Sequence, residues 1–162
     1  MKLTKGIFGG VVGAVTISVV TAGLRAAGVP INFELMLGSL FTLELGFGTW
    51  LLGLAMHLAL GACFGLLYAA LFERCVGRAS WSVGVFVAFA HIAFSGVALL
   101  AFPVIHPLIP DVLPAPGPMM LSLGWIAFVS FVALHVLFGA IVGGFYGKTH
   151  SPLLTERLTL NP

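Results

Sequence analysis

A chain of 162 residues has the size of one compact unit, yet 60% of it is hydrophobic and only 7% is charged. Water-soluble domains carry about a quarter charged residues, so 7 basic and 5 acidic side chains cannot cover a 17.0 kDa globule in water. With a net charge of +2 and a mean hydropathy of +1.16, the composition excludes an ordinary soluble enzyme, a nucleic-acid binder and a disordered chain, leaving an integral membrane protein.

A helix crossing a ~30 Å hydrocarbon core needs ~20 apolar residues, and four uncharged runs of that length lie between the charge clusters. The first, GIFGGVVGAVTISVVTAGL between Lys5 and Arg25, predicts a span over about residues 6–27. Small residues recur along it at Gly6, Gly10, Ala14, Ser18, Ala22 and Ala26, a ladder that lets a second helix approach closely. Lys2 and Lys5 ahead of an apolar run also resemble a secretory signal, but the run is longer than a signal core, so the helix is expected to be retained. Pro30 to Gly48 is too apolar for a plain linker. Asn32 reads as an N-cap and Glu34 as a first-turn acid, predicting a short interfacial helix with Leu35, Met36, Phe41 and Leu43 at the outer leaflet boundary.

The run from Thr49 to Phe72 predicts a second span over 49–72, and that from Trp81 to Phe102 a third over 81–102. Six prolines then crowd Pro103 to Pro118 and mark a linker. Its His106, Asp111, Met119 and Met120 are candidate copper donors at irregular spacing. Ser122 to Tyr146 predicts the fourth span, 122–146. Trp50, Trp81, Trp125, Tyr68 and Tyr146 fall near span ends, where the water–lipid boundary favours amphipathic rings. Lys2, Lys5, Arg74, Arg78, Lys148 and Arg157 lie on one side, and only Arg25 on the other, with Glu34, Glu44 and Asp111. That asymmetry predicts both termini in the cytoplasm. Cys63 and Cys75 are ~18 Å apart along one helix and cannot bridge each other.

The second and fourth spans share one pattern. His57, Gly61, Gly65 and Tyr68 recur without gaps, 78 residues later, as His135, Gly139, Gly143 and Tyr146. At the same offset Gly6-Ile-Phe meets Gly84-Val-Phe, so residues 1–162 read as a single membrane domain of two parallel hairpin halves, 1–78 and 79–162. The expected fold is an all-α bundle of four transmembrane helices built as two tandem two-helix repeats. Gly6, Gly10, Gly61, Gly65, Gly139 and Gly143 are its expected packing residues. Four small-residue sides turned inward leave little room for a wide pore.

An ionisable group in hydrocarbon is costly and usually faces protein, which singles out His57, His91 and His135. His135 lies 13 residues from Lys148 and His91 lies 13 from Arg78, which places both at one depth. His57, 17 residues from Arg74, lies nearer the outer side. The plainer expectation is hydrogen bonding across helix interfaces to Thr16, Ser18, Ser95 or Ser130. The sharper one is a b-type haem or a metal, with His135 and His91 preferred to His57 and with Gly139 and Gly84 supplying clearance. No carboxylate inside a span completes a metal site, so neither a metal nor a catalytic residue is assigned.

The glycine-rich opening, the segment VPINFELMLGSL, and HLALGACFGLLYA echoed as HVLFGAIVGGFYG resemble a bacterial inner-membrane family of unknown function. The resemblance covers most of the chain outside the Pro-rich loop; it implies four helices with paired histidines and supplies no activity. Glycine stripes outnumber polar groups inside the spans, which predicts a non-enzymatic structural or accessory subunit, packed among lipids against a second copy or a larger membrane complex. A small transporter or channel is the alternative that parallel repeats suggest, and a haem- or metal-binding membrane protein is the next.

Overall fold

The computed structural model describes residues 1–149; Arg157, counted with the basic tail, lies outside them. Its helices are α1 (Leu3–Ala26), α2 (Phe33–Gly38), α3 (Phe47–Leu71), α4 (Trp81–Ala98), α5 (Phe102–Ile105) and α6 (Trp125–Tyr146). Four stretches are long and apolar enough to cross a membrane: α1, α3 with its terminal turn, α4 continued through α5, and α6. Their outward faces, with Phe86, Phe89, Val97 and Val104 exposed, are surfaces that hydrocarbon solvates better than water. The start of α1 and the end of α6 share one end of the bundle, the termini end; α2, α5 and the Pro-rich segment form the other, the connection end.

Local chemistry sets the boundaries. α3 runs into a π-helical turn, Phe72–Val76, stopped by Gly77 in the left-handed region at φ 73°. Ser80 caps α4, its hydroxyl accepting from the Val83 N–H at 3.2 Å. The third span continues past 102 through a 3₁₀ turn into α5, whose first turn tolerates Pro103. α6 begins at Trp125 rather than at 122, because Pro118–Leu123 is a 3₁₀ segment and Gly124, at φ 105°, breaks the path.

Glycines make the helix seams. α1 packs between α3 and α6, and α6 between α1 and α4. A Cβ on Gly61 would stand 2.6 Å from the Ala14 Cβ and 2.7 Å from the Gly10 carbonyl oxygen. In the second hairpin, a Cβ on Gly139 would stand 2.9 Å from the Ala88 Cβ and collide with the Gly84 carbonyl. Gly6, Gly10, Gly61, Gly65, Gly139 and Gly143 all lie in these two seams. The contacts match Gly10 with Gly84, not Gly6 with Gly84. α1 and α4 therefore correspond one turn out of step with the gapless offset that α3 and α6 keep.

That register explains an asymmetry. The α1–α6 seam closes over Gly9 and Gly13, which receive Val142 and Phe138. At the matching places α4 carries Val83 and Val87, buried with the Tyr68–Phe72 cluster. Two isopropyl groups hold α3 away from α4, and the backbones of those helices barely approach each other. The bundle is an open horseshoe in the order α3, α1, α6, α4, not the close-packed ring that four inward small faces predict.

α2 lies in the first connection, and the Asn32 side chain accepts from the Leu35 N–H at 3.2 Å, as expected of the N-cap. It is docked into the bundle instead of resting at the leaflet boundary. Gly38 backs onto the Thr49 carbonyl and Gly53 onto the Glu34 carbonyl, which sets α2 antiparallel to the start of α3. Met36 is therefore buried in protein, while Phe41 and Leu43 remain exposed as the boundary reading expects. His106 pins the Pro-rich segment onto α2: its Nε2–H donates to the Met36 carbonyl at 2.9 Å, and its Nδ1 accepts from the Leu108 N–H at 3.1 Å.

Candidate ligand-binding site

A cavity of about 240 Å³ lies inside the horseshoe, and His57, His91 and His135 all line it. Leu60 and Phe94 line it too and are 40% and 64% exposed, so they form the lips of a lateral opening between α3 and α4. Toward the termini, Tyr68, Phe72, Phe138, Val142 and Tyr146 close the floor, each almost fully buried. At the connection end Leu99, Phe102 and Met120 close the top. Met119 and Met120 adopt φ of 50° and 62°, a left-handed turn costing ~1–2 kcal/mol per residue, and this turn sends the Met120 side chain into the cavity wall.

The equal-depth expectation is met: the His91 and His135 rings meet edge to face with centroids 4.8 Å apart. His91 also stacks on Phe64 at 3.8 Å. His57 sits nearer the connection end, edge to face with Phe33 of the first connection at 5.3 Å. Its Nδ1 lies 3.0 Å from the Ser18 hydroxyl, which is the predicted bond across a helix interface. The other two differ from that prediction. His135 Nδ1–H donates within its own helix to the Phe131 carbonyl at 2.7 Å, and His91 Nδ1 lies 3.5 Å from the Tyr68 hydroxyl. Thr16 spends its hydroxyl on the Val12 carbonyl at 2.8 Å.

Behind His57 stands a carboxylate that no span supplies. Glu34 is 0% exposed, with Oε1 3.9 Å from His57 Nδ1 and Oε2 3.6 Å from Arg25 Nη1. Among the described residues neither oxygen has a hydrogen-bond partner, while Arg25 also donates to the Ile31 carbonyl at 3.0 Å. The carboxylate is carried by the connecting helix α2, and the spans predicted from the sequence themselves hold no carboxylate. A signal for it exists in the sequence. Glu34 precedes Gly38 by four residues, and Gly53 precedes His57 by four, so each pair shares a helix face. The glycine contact that docks α2 sets carboxylate beside imidazole. At the far end, the Tyr146 hydroxyl donates to Glu73 Oε1 at 2.7 Å and accepts from the Lys2 backbone N–H at 3.0 Å.

The residues as arranged do not fit a haem. Axial imidazoles stand on opposite faces of a macrocycle, whereas His91 and His135 touch each other directly. Gly84 and Gly139, expected to supply clearance, fill each other's space in the α4–α6 seam. Nor do the Pro-rich donors form a copper set: both His106 nitrogens are engaged, Met119 packs over Gly96, and Asp111 is exposed. Among the described residues no three His, Cys, Asp or Glu side chains gather closely enough to hold a metal ion. In comparisons with known proteins, no family model, no curated protein and no solved structure matches this chain.

Proposed function

We propose that this integral membrane protein is a non-enzymatic binding protein that takes one lipophilic small molecule sideways from the bilayer. The observation that carries the reading is the lateral cavity with three imidazoles, Thr21 and Ser95 in a largely apolar wall. Ligand sites combine such walls with few polar groups, and their volumes start at ~300 Å³, so about 240 Å³ suits a small head with its tail left in lipid. The sealed floor supports binding over conduction through the bundle. The glycine stripes, spent on internal seams, weigh against a role as a subunit that docks through small-residue faces. Extraction into lipid nanodiscs straight from native membranes, followed by mass spectrometry of the released compounds, tests the reading. One compound near 1:1 is expected, and Leu60→Trp, which fills the opening, should remove it; only bulk lipid in both preparations would overturn the proposal.

The same proposal places the chain in a bacterial inner membrane with both termini cytoplasmic, supported by Lys2, Lys5, Arg74, Arg78 and Lys148 at one end and Arg25 at the other. Two native cysteines make the test simple, since Cys75 is exposed at the termini end and Cys63 is exposed on a spanning face. A water-soluble maleimide is expected to label Cys75 in inverted vesicles only, and Cys63 in neither preparation. Labelling of Cys75 in intact spheroplasts would reverse the orientation.

A further inference from the structure

All three cavity histidines spend Nδ1 on the protein: His57 beside the Ser18 hydroxyl, His91 beside the Tyr68 hydroxyl, and His135 on the Phe131 carbonyl. None of their Nε2 atoms has a hydrogen-bond partner among the described residues. Polar atoms without a partner in an apolar setting are costly, so these nitrogens are unused capacity on rings that line the cavity. Partner chemistry fixes the polarity of one of them. A carbonyl can only accept, so His135 Nδ1 carries the ring proton and Nε2 is a bare acceptor. A hydroxyl both donates and accepts, so the Tyr68 hydroxyl, 3.5 Å from His91 Nδ1, fits either tautomer of that ring. The two rings are in contact, with centroids 4.8 Å apart, so the His135 acceptor belongs to a ring packed against a second imidazole.

The walls supply the rest of the specification. Phe64, Phe94, Phe131 and Phe138 present ring faces and edges to the cavity. A dry cavity of ~150 Å³ accepts a benzene ring, so about 240 Å³ admits one six-membered ring with short substituents and excludes a fused polycycle. Resting on the binding reading above, we propose that the ligand is a lipophilic phenol or hydroquinone. Its hydroxyl donates to His135 Nε2, the ring lies against Phe64 and Phe138, and an alkyl tail leaves between Leu60 and Phe94 into lipid.

The test compares 4-hexylphenol with 4-hexylanisole, its methyl ether, by calorimetric titration into phosphatidylcholine nanodiscs carrying the full chain, with empty discs as the partition control. Saturable 1:1 binding of the phenol is expected, about tenfold tighter than the ether, because the ether strands a buried acceptor. His135→Phe should erase that preference. Equal affinity of the two probes for the wild-type protein would overturn the phenol assignment while leaving a lateral binding site standing. Absence of either probe above empty discs would overturn the binding reading itself. A preference that survives His135→Phe but is lost in His57→Phe would overturn the assignment to His135. The wild-type comparison decides the head group without any variant having to fold.

Discussion

Gly10→Val is expected to abolish the α1–α3 seam and to cost ~3 kcal/mol or more, the upper end of what overpacking costs. Even a Cβ at Gly10 would fall inside the Gly61 carbonyl and 3.0 Å from the Gly65 Cα. Those neighbours are backbone, which cannot rotate away as a side chain does, so relief requires the two helices to part along their length. In lipid the loss is severe, because helix association rests on close packing and interhelical hydrogen bonds rather than on a hydrophobic drive between helices. Gly144→Val is the matched control: a Cβ there meets nothing within 4 Å, so a change within about 0.5 kcal/mol is expected. Equilibrium unfolding of both variants in mixed micelles makes the comparison. If Gly10→Val is as stable as Gly144→Val, the backbone contact is not what holds the hairpin together.

The four spans are legible in the sequence because hydrocarbon thickness and charge cost act on every residue alike, whatever its neighbours. Boundaries are less so: hydropathy runs on through Ser122 and Leu123, and only the backbone turn at Gly124 shows that α6 has not yet begun. The pairing of His91 with His135 is readable by counting residues from the basic cluster, since a helix converts sequence distance into depth. The position of Glu34 is not readable that way. A residue in a connection has no depth of its own, and its depth comes from the contact between Gly38, Gly53 and their carbonyl neighbours. The open α3–α4 side is written in the sequence as Val83 and Val87 against Gly9 and Gly13. Reading it requires the one-turn shift between hairpins, which only the packing reveals.

The second large effect concerns the buried carboxylate. Arg25→Ala is expected to cost ~3 kcal/mol, the range found when one partner of a buried pair is removed. Arg25 is 27% exposed and keeps part of its hydration, whereas Glu34 is 0% exposed and would be left facing His57 at 3.9 Å with no cation near it. Glu34→Gln keeps the shape and removes the charge, so alone it should cost ~1 kcal/mol or less, as polar contacts between membrane helices do. In the Arg25→Ala, Glu34→Gln double variant no buried charge is stranded, and most of the Arg25→Ala loss should return. The expected coupling is ~2 kcal/mol, well above the few tenths seen between independent sites. Arg25 also donates to the Ile31 carbonyl at 3.0 Å, but that bond is lost in the single and the double variant alike and cancels in the cycle. What the cycle isolates is charge against charge across 3.6 Å, and strictly additive losses would mean that Arg25 holds α2 through the Ile31 carbonyl alone.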